Sequence, residues 1–314
     1  MATLHNKTED DITAEVLARF ADTPDPRLQQ IMLGLIKHLH AFVKEVALTE
    51  AEWFQAIEIL TTAGHMSDDK RQEFILFSDT LGVSMVVDLI SRRKPDGATE
   101  STVFGPFHRL GAPELPAGGN IADLDESGPP TLVSGRVLDL DDKPIAGALL
   151  DVWQAQTSGL YDSQDPNLRE MHMRGKFRTD AEGRYLVRTV RPVHYPIPSD
   201  GPVGAMLRAA GRHPWRPAHI HFVVSADGYE PVTTHIFDRA DEYLGSDAVF
   251  AVKDSLICDF VRHDAPEGEA ARLGIDRPYY TTAFDFHLKP AAEQRATVLD
   301  AQQRLAALGA RAAE

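Results

Sequence analysis

A single cysteine occurs in 314 residues, so no internal disulfide can form, and a lone thiol at Cys258 fits a reducing compartment. Long apolar stretches are missing too. No uninterrupted run approaches the roughly 20 residues that a membrane-spanning helix needs, and the opening MATLHNKTEDDITAE lacks the apolar core of an export signal. These absences predict a cytoplasmic protein without membrane insertion. Positive charge is scarce: 32 basic side chains stand against 47 acidic ones, a formal net charge of −15. Such a surface repels phosphate backbones, which argues against nucleic acid and polyanionic substrates as partners. The rest of the composition is that of a globular protein, 43% hydrophobic and 25% charged.

The apolar period changes near residue 100. Before it, apolar residues recur at helical spacing: Ile12, Val16 and Phe20; Leu28, Ile31, Leu35, Leu39, Phe42 and Val46; Trp53, Ile57 and Leu60. Thr49 followed by Glu52 reads as a capping box, and Ser67 before Asp68 and Asp69 as another helix start. From about Val133 short β-rich runs follow one another as three hairpins, turning at Asp141 and Asp142, at Asp180 to Gly183, and at Asp227 and Gly228. Close-set strands without intervening amphipathic helices predict an antiparallel β-sandwich, so the chain reads as α+β. Residues 1–100 form a helical N-terminal domain with a Gly- and Pro-rich linker to about 130, and residues 101–314 a β-sandwich domain. A last strand, Tyr279 to Leu288, precedes an Ala- and Arg-rich helix beyond Pro290.

The stretch Arg216-Pro217-Ala218-His219-Ile220-His221-Phe222 carries the chemistry. Alternate strand residues share a face, so His219 and His221 can both reach one metal ion. The carboxylate of cupin-type iron oxygenases is absent downstream, where Ser225 and Ala226 stand, and a structural zinc site lacks its cysteines. His235 or Glu230 could complete a catalytic zinc site. Two solvated histidines on a non-catalytic β-sandwich binding module would leave the same spacing.

Together, GPF (Gly105 to Phe107), SGLYD (Ser158 to Asp162), RGKFRTDAEGRY (Arg174 to Tyr185), HYPIPSDGPVG (His194 to Gly204) and RPAHIHF resemble the intradiol aromatic-ring dioxygenases, most nearly their hydroxyquinol-cleaving group. The resemblance covers residues 70 to 260, in the family's order. It implies one mononuclear non-haem Fe(III) per subunit, with Tyr161, Tyr195, His219 and His221 as ligands. Tyrosine binds as phenolate only to a strongly Lewis-acidic cation, which suits ferric iron. The implied reaction joins dioxygen to a chelated aromatic diol, breaking the ring between the two hydroxylated carbons; Tyr195 serves as base and Arg216 stabilises developing negative charge. His235 stands where many catechol-cleaving relatives carry glutamine, and is expected to make a hydrogen bond beside the metal rather than a metal bond.

The resemblance also implies pocket walls. Leu76 and Asp79, one helical turn apart, match positions that touch the substrate ring, and Asp79 can accept a hydrogen bond from an extra ring hydroxyl. Val103, Phe104, Gly105, Pro106 and Phe107 match a loop along the ring's edge; Ile197, Pro198 and Val249 match the other walls. Hydroxyquinol is therefore the expected substrate, with catechol or chlorocatechol the alternative. The N-terminal helices are implied to form a homodimer interface with a phospholipid lodged between subunits, and the crowded apolar residues of 28 to 46 are compatible with this.

Overall fold

The computed structural model describes residues 6–68, 71–92, 97–122 and 127–291. By internal contacts the chain divides into a unit ending at Thr62 and one beginning at Ala63.

The first unit contains α1 (Glu9–Phe20), α2 (Pro26–Glu45) and most of α3 (Glu50–Met66). Thr8 caps α1 through reciprocal bonds with Asp11, and Asp25 caps α2 by accepting the amides of Arg27 and Leu28. The capping box before α3 forms as the sequence predicts: Thr49 and Glu52 exchange side-chain to backbone bonds of 2.9 and 3.3 Å. α1 and α2 run antiparallel, since Lys44 at the end of α2 reaches Asp10 at the start of α1, 2.7 Å away. Ile36 is buried, while Leu28, Ile31, Leu35, Leu39 and Phe42 lie exposed in the single chain.

The second unit opens with α4 (Glu73–Thr80) and α5 (Val83–Ser91). The helix start expected at Ser67 is corrected here. α4 begins only at Glu73, because Asp68 instead closes a turn by accepting the Arg71 amide, and the Ser67 hydroxyl accepts the amide of Glu73. The β elements are β1 (Pro130–Leu138), β2 (Leu149–Trp153), β3 (Arg174–Arg178), β4 (Arg184–Val190), β5 (Tyr195–Pro196), β6 (Trp215–Arg216), β7 (His219–Ser225), β8 (Val232–Asp238), β9 (Ile257–Cys258), β10 (Val261–His263), β11 (Tyr279–Ala283) and β12 (Phe286–His287). Helix α6 (Pro202–Ala209) lies between β5 and β6.

One sheet centres on β1, paired with β4, β11 and β12, with β10 outside β11; the other runs β3-β2-β7-β8-β9. Ile220, Phe222 and Val224 of β7 pack with Val133, Val137, Val187 and Phe286 in the core between them. Two features differ from the sequence reading. The β1–β2 and β3–β4 connections are not hairpins but cross between sheets, since β1 pairs with β4 and β2 with β3 and β7. Only the β7–β8 connection, turning at Asp227 and Gly228, is the expected hairpin. The sheets are also mixed rather than purely antiparallel: β11 and β12 lie parallel to β1, and β9 parallel to β8. Strands that arrive through long connections are free of the reversal a tight turn imposes. The expected C-terminal helix falls beyond residue 291, outside the described residues. Among the described residues no single helix is long and apolar enough to cross a membrane.

Candidate metal centre and substrate pocket

The pleat of β7 gives its two faces different surroundings, with Val223 sharing the histidine face. Its apolar residues 220, 222 and 224 enter the core, so His219 and His221 project from the opposite face, where both are buried. A solvated face for this pair is thereby excluded. Cross-strand register then places Trp153, His221 and His235 abreast on β2, β7 and β8. Trp153 lies flat on His221, and the His235 ring centroid is 4.1 Å from that of His221.

The two tyrosines come from elsewhere. Tyr161 follows β2 on a loop that its neighbour Asp162 fastens: the buried carboxylate takes Arg174 at 2.6 and 2.8 Å, Arg109 at 2.7 Å and the Met171 amide at 3.0 Å. Phe107 stacks on the Tyr161 ring at 4.5 Å. Tyr195 is set by the short β5–β6 ladder, directly opposite Arg216.

These elements bring four donor atoms into a closed ring. Tyr161 Oη lies 3.0 Å from Tyr195 Oη and 3.1 Å from His221 Nε2; His219 Nε2 lies 3.1 Å from His221 Nε2 and 3.3 Å from Tyr195 Oη. Donors about 2.0–2.1 Å from one first-row ion, at tetrahedral to right angles, stand roughly 2.9–3.4 Å apart, so this set fits a single metal ion. His219 Nδ1 donates to the Pro217 carbonyl, which leaves Nε2 as the acceptor facing the ring. A rival set, His219, His221 and His235, has donor atoms spread up to 4.8 Å apart. His235 Nδ1 pairs with the Thr102 hydroxyl, and its buried Nε2 has no hydrogen-bond partner, so no bond joins it to either neighbouring histidine. Glu230 pairs with Lys289.

Burial holds all of these groups neutral. It drives the His219, His221 and His235 pKa values well below the usual imidazole value and raises Tyr161 and Tyr195 above the usual phenol value. Two neutral imidazoles and two protonated phenols suit a cation acidic enough to displace phenolic protons. Arg216 is equally buried; burial alone would lower its pKa, but Asp247 and the two tyrosines outweigh that and raise it. Its Nη1 lies 3.1 Å from His219 Nε2 and 3.5 Å from Tyr195 Oη.

The expected pocket residues fall into two groups. Leu76, Val103, Ile197 and Val249 are buried in one apolar cluster. Phe104 and Phe107 belong to the cluster of Trp153, Tyr161 and Tyr195. Gly105, at φ +74°, carries the loop against His221; a Cβ there would stand 3.5 Å from the imidazole Cε1. Pro106 and Pro198 are half-buried. Asp79 is buried in α4, and desolvation pushes its carboxyl up to about 6, opposed by a Ser84 hydrogen bond and the Arg216 charge. A cleft of 530 Å³ lined by residues including Arg212, His213, Asp247 and Phe250 touches none of the four donors.

Three residues at this centre escaped the sequence reading. Trp153 becomes visible only once the β2–β7 register is known, and Asp247 sits 31 residues from Arg216 without a spacing signal. Asp162 ends the SGLYD motif beside Tyr161, and that adjacency is its one sequence signal.

A family model described as "Catechol dioxygenase N terminus" matches residues 25–99, and one described as "Dioxygenase" matches residues 105–290. A hydroxyquinol 1,2-dioxygenase of Rhizobium sp. (strain MTP-10005) is 54% identical over 266 residues, covering 84% of this chain and 90% of the relative. A 6-chlorohydroxyquinol 1,2-dioxygenase of Cupriavidus pinatubonensis is 50% identical over 280 residues, covering 89% and 97%. The crystal structure of hydroxyquinol 1,2-dioxygenase from Pseudomonas putida DLL-E4 superposes with a TM-score of 0.83 at 49% identity, covering 90% of this chain and 99% of that one.

Proposed function

The chain belongs to the intradiol dioxygenase family, and from that membership we propose that it cleaves hydroxyquinol (1,2,4-trihydroxybenzene) with dioxygen. The ring opens between the two adjacent hydroxylated carbons to give 3-hydroxy-cis,cis-muconate, the enol form of maleylacetate. The observation that carries the reading is the closed ring of Tyr161, Tyr195, His219 and His221 donor atoms, each within 3.3 Å of the next. These four residues would hold the iron of the family, one ferric ion per subunit. Ferric iron held there would supply the Lewis acidity that makes the hydroxyl protons of a diol easier to remove.

The chain's own groups do the rest. Tyr195, with its Oη near a buried guanidinium, would serve as the base that accepts a substrate proton. Arg216 offers Nη2, a buried donor with no partner, to oxygen carrying negative charge. Asp79 accepts the third ring hydroxyl. A plain catechol would leave that buried carboxylate with the Ser84 hydrogen bond but without the one from the ring, a penalty of about 1–3 kcal/mol, and this favours hydroxyquinol over catechol and chlorocatechol. Phe107, Val103, Ile197 and Val249, all buried, keep water from the ring.

A homodimer with the division near residue 100, a lipid at its interface and a cytoplasmic location belong to the same proposal. They are supported by the exposed apolar face of α2, the meeting of the two family models between residues 99 and 105, and the single thiol. Comparing kcat/KM for hydroxyquinol, catechol and 4-chlorocatechol tests the substrate: hydroxyquinol is expected to lead by tenfold or more, and a lead for catechol would overturn the assignment.

A further inference from the structure

Asp247 is a buried carboxylate that the reaction as derived does not use. Its position is strongly determined: Oδ1 accepts the Val249 amide at 3.3 Å, Oδ2 accepts the Ala251 amide at 3.0 Å, and Oδ1 takes the Arg216 Nε at 3.2 Å. Its loop is tied in turn by the Ala248 amide bonding the Trp215 carbonyl at 3.1 Å and by Arg212 Nη2 on the Ala248 carbonyl at 2.9 Å. One rigid acceptor therefore spans the arginine at the metal donors and the backbone of a pocket wall, Val249.

We propose that Asp247 is a positioning residue for the reaction: it aims the Arg216 guanidinium at the reacting centre and offsets its charge beside the metal. The guanidinium is planar, so anchoring Nε fixes the directions of both terminal nitrogens. Nη1 then faces Tyr195 Oη and His219 Nε2, and Nη2 is left as a buried donor without a partner, the group available to an oxygen atom of bound substrate. Charge points the same way. A guanidinium buried within hydrogen-bond reach of two metal donors would repel the metal ion, and a carboxylate on its far nitrogen lowers that repulsion without occupying the pocket. Asp79 does not substitute, because Arg216 acts on it through charge rather than a hydrogen bond and its carboxyl is taken by the third ring hydroxyl of the proposed substrate.

This inference rests on Arg216 acting on developing charge, and the experiment separates the two. Asp247→Asn and Arg216→Gln are made singly and together in the iron-loaded enzyme. We measure kcat, the anaerobic dissociation constant for hydroxyquinol, and the thermal midpoint. Each single variant is expected to lose about 10- to 100-fold in kcat with the dissociation constant changed less than about threefold, and the double variant to be no slower than the slower single. A residue that merely supports the fold would shift the midpoint and the dissociation constant together. If Arg216→Gln is slow while Asp247→Asn keeps kcat within about twofold of native, or the two losses multiply in the double variant, the role of Asp247 is overturned and that of Arg216 stands. Native kcat in Arg216→Gln overturns both. Asp247→Glu guards against loss of fold, since it keeps the charge and acceptor oxygens but displaces the guanidinium by a methylene; it should lose kcat at a native midpoint, and native kcat there overturns the proposal.

Discussion

Trp153 lies flat on His221, ring centroids 4.6 Å apart and planes 13° from parallel, although 68 residues of sequence separate them (221 − 153). The contact follows from register: the two residues sit opposite each other on β2 and β7. Trp153 is 1% exposed and leaves its indole N–H without a partner, so its contribution is packing and ring orientation. Trp153→Ala is expected to cost about 3–5 kcal/mol of unfolding free energy and to weaken iron retention about 10- to 100-fold, whereas Trp153→Phe keeps an aromatic face and most of both. Urea unfolding and chelator competition measure the two effects. An alanine variant within 1 kcal/mol of native would sink the packing argument.

Tyr161 Oη is one corner of the donor ring, 3.1 Å from His221 Nε2. Tyr161→Phe removes only that oxygen, because Phe107 still stacks on the remaining ring. Iron bound by tyrosinate colours a protein red-brown, and the band should weaken or shift in Tyr161→Phe while kcat falls by about a thousandfold or more, a loss of roughly 4 kcal/mol. An unchanged visible spectrum in this variant would remove Tyr161 from the ligand set.

Asp79 links pH to both stability and selectivity. Its carboxyl is pushed by desolvation from 3.8 to about 6 in the folded chain, so between those values the native state binds a proton the unfolded chain has lost. Stability therefore falls as pH rises from about 4 to 6, by at most about 3 kcal/mol, and stays low above. Asp79→Asn should relieve this: its thermal midpoint is expected to exceed the native one at pH 7.5 and to converge with it at pH 4. The preference for hydroxyquinol over catechol should rise through pH 6 in the native enzyme and lose its pH dependence in Asp79→Asn. A variant that preserves the native preference at every pH would exclude Asp79 from substrate recognition.

How much of this was legible follows from how local each signal is. The helical period, the Thr49–Glu52 box and the hairpin around Asp227 and Gly228 are written within a few residues of where they act, and each appears where expected. Turn residues at Asp141 and at Asp180 reverse the chain but carry no information about partners, so two connections that look like hairpins cross between sheets. The parallel pairing of Thr131 with Tyr280 has no local trace at all. At the metal centre the spacing of His219 and His221 was readable as a strand face, while the tyrosines rested on motif resemblance. Asp247 was invisible, because nothing near it in sequence says that Arg216 ends beside it.

The apolar face of α2 gives a prediction about assembly. Leu28, Ile31, Leu35, Leu39 and Phe42 recur at helical spacing and are each about half exposed in the single chain. Such a stripe is stable in water when covered, and a second copy of the chain would cover it symmetrically. Sedimentation at micromolar concentration should give a dimer, and Leu35→Glu with Leu39→Glu should shift it to monomer while the visible band of the metal centre persists. A monomeric native protein at that concentration would defeat the expectation.

Gly135 marks a point where the first sheet depends on the absence of a side chain. It lies in β1 at φ +155°, and a Cβ added there would stand 1.9 Å from the Phe284 carbonyl oxygen and 2.7 Å from its carbon. That carbonyl belongs to the break between β11 and β12, which pair with β1 in the same register on either side: Thr131 opposite Tyr280, Val137 opposite Phe286. The break is itself fastened, since the Tyr185 hydroxyl donates to the Phe284 carbonyl at 2.7 Å and Asp285 accepts the Arg136 amide at 2.7 Å. The clash is with backbone, which cannot rotate away as a side chain would. Gly135→Ala must therefore separate β1 from the strand beside it, and is expected to cost about 2–3 kcal/mol or more. Gly34→Ala, in α2 with no atom within 4 Å of the added Cβ, is the control and should hold or raise stability by up to about 1 kcal/mol. Equal thermal midpoints for the two variants would mean that the close approach of β1 to Phe284 does not constrain the sheet.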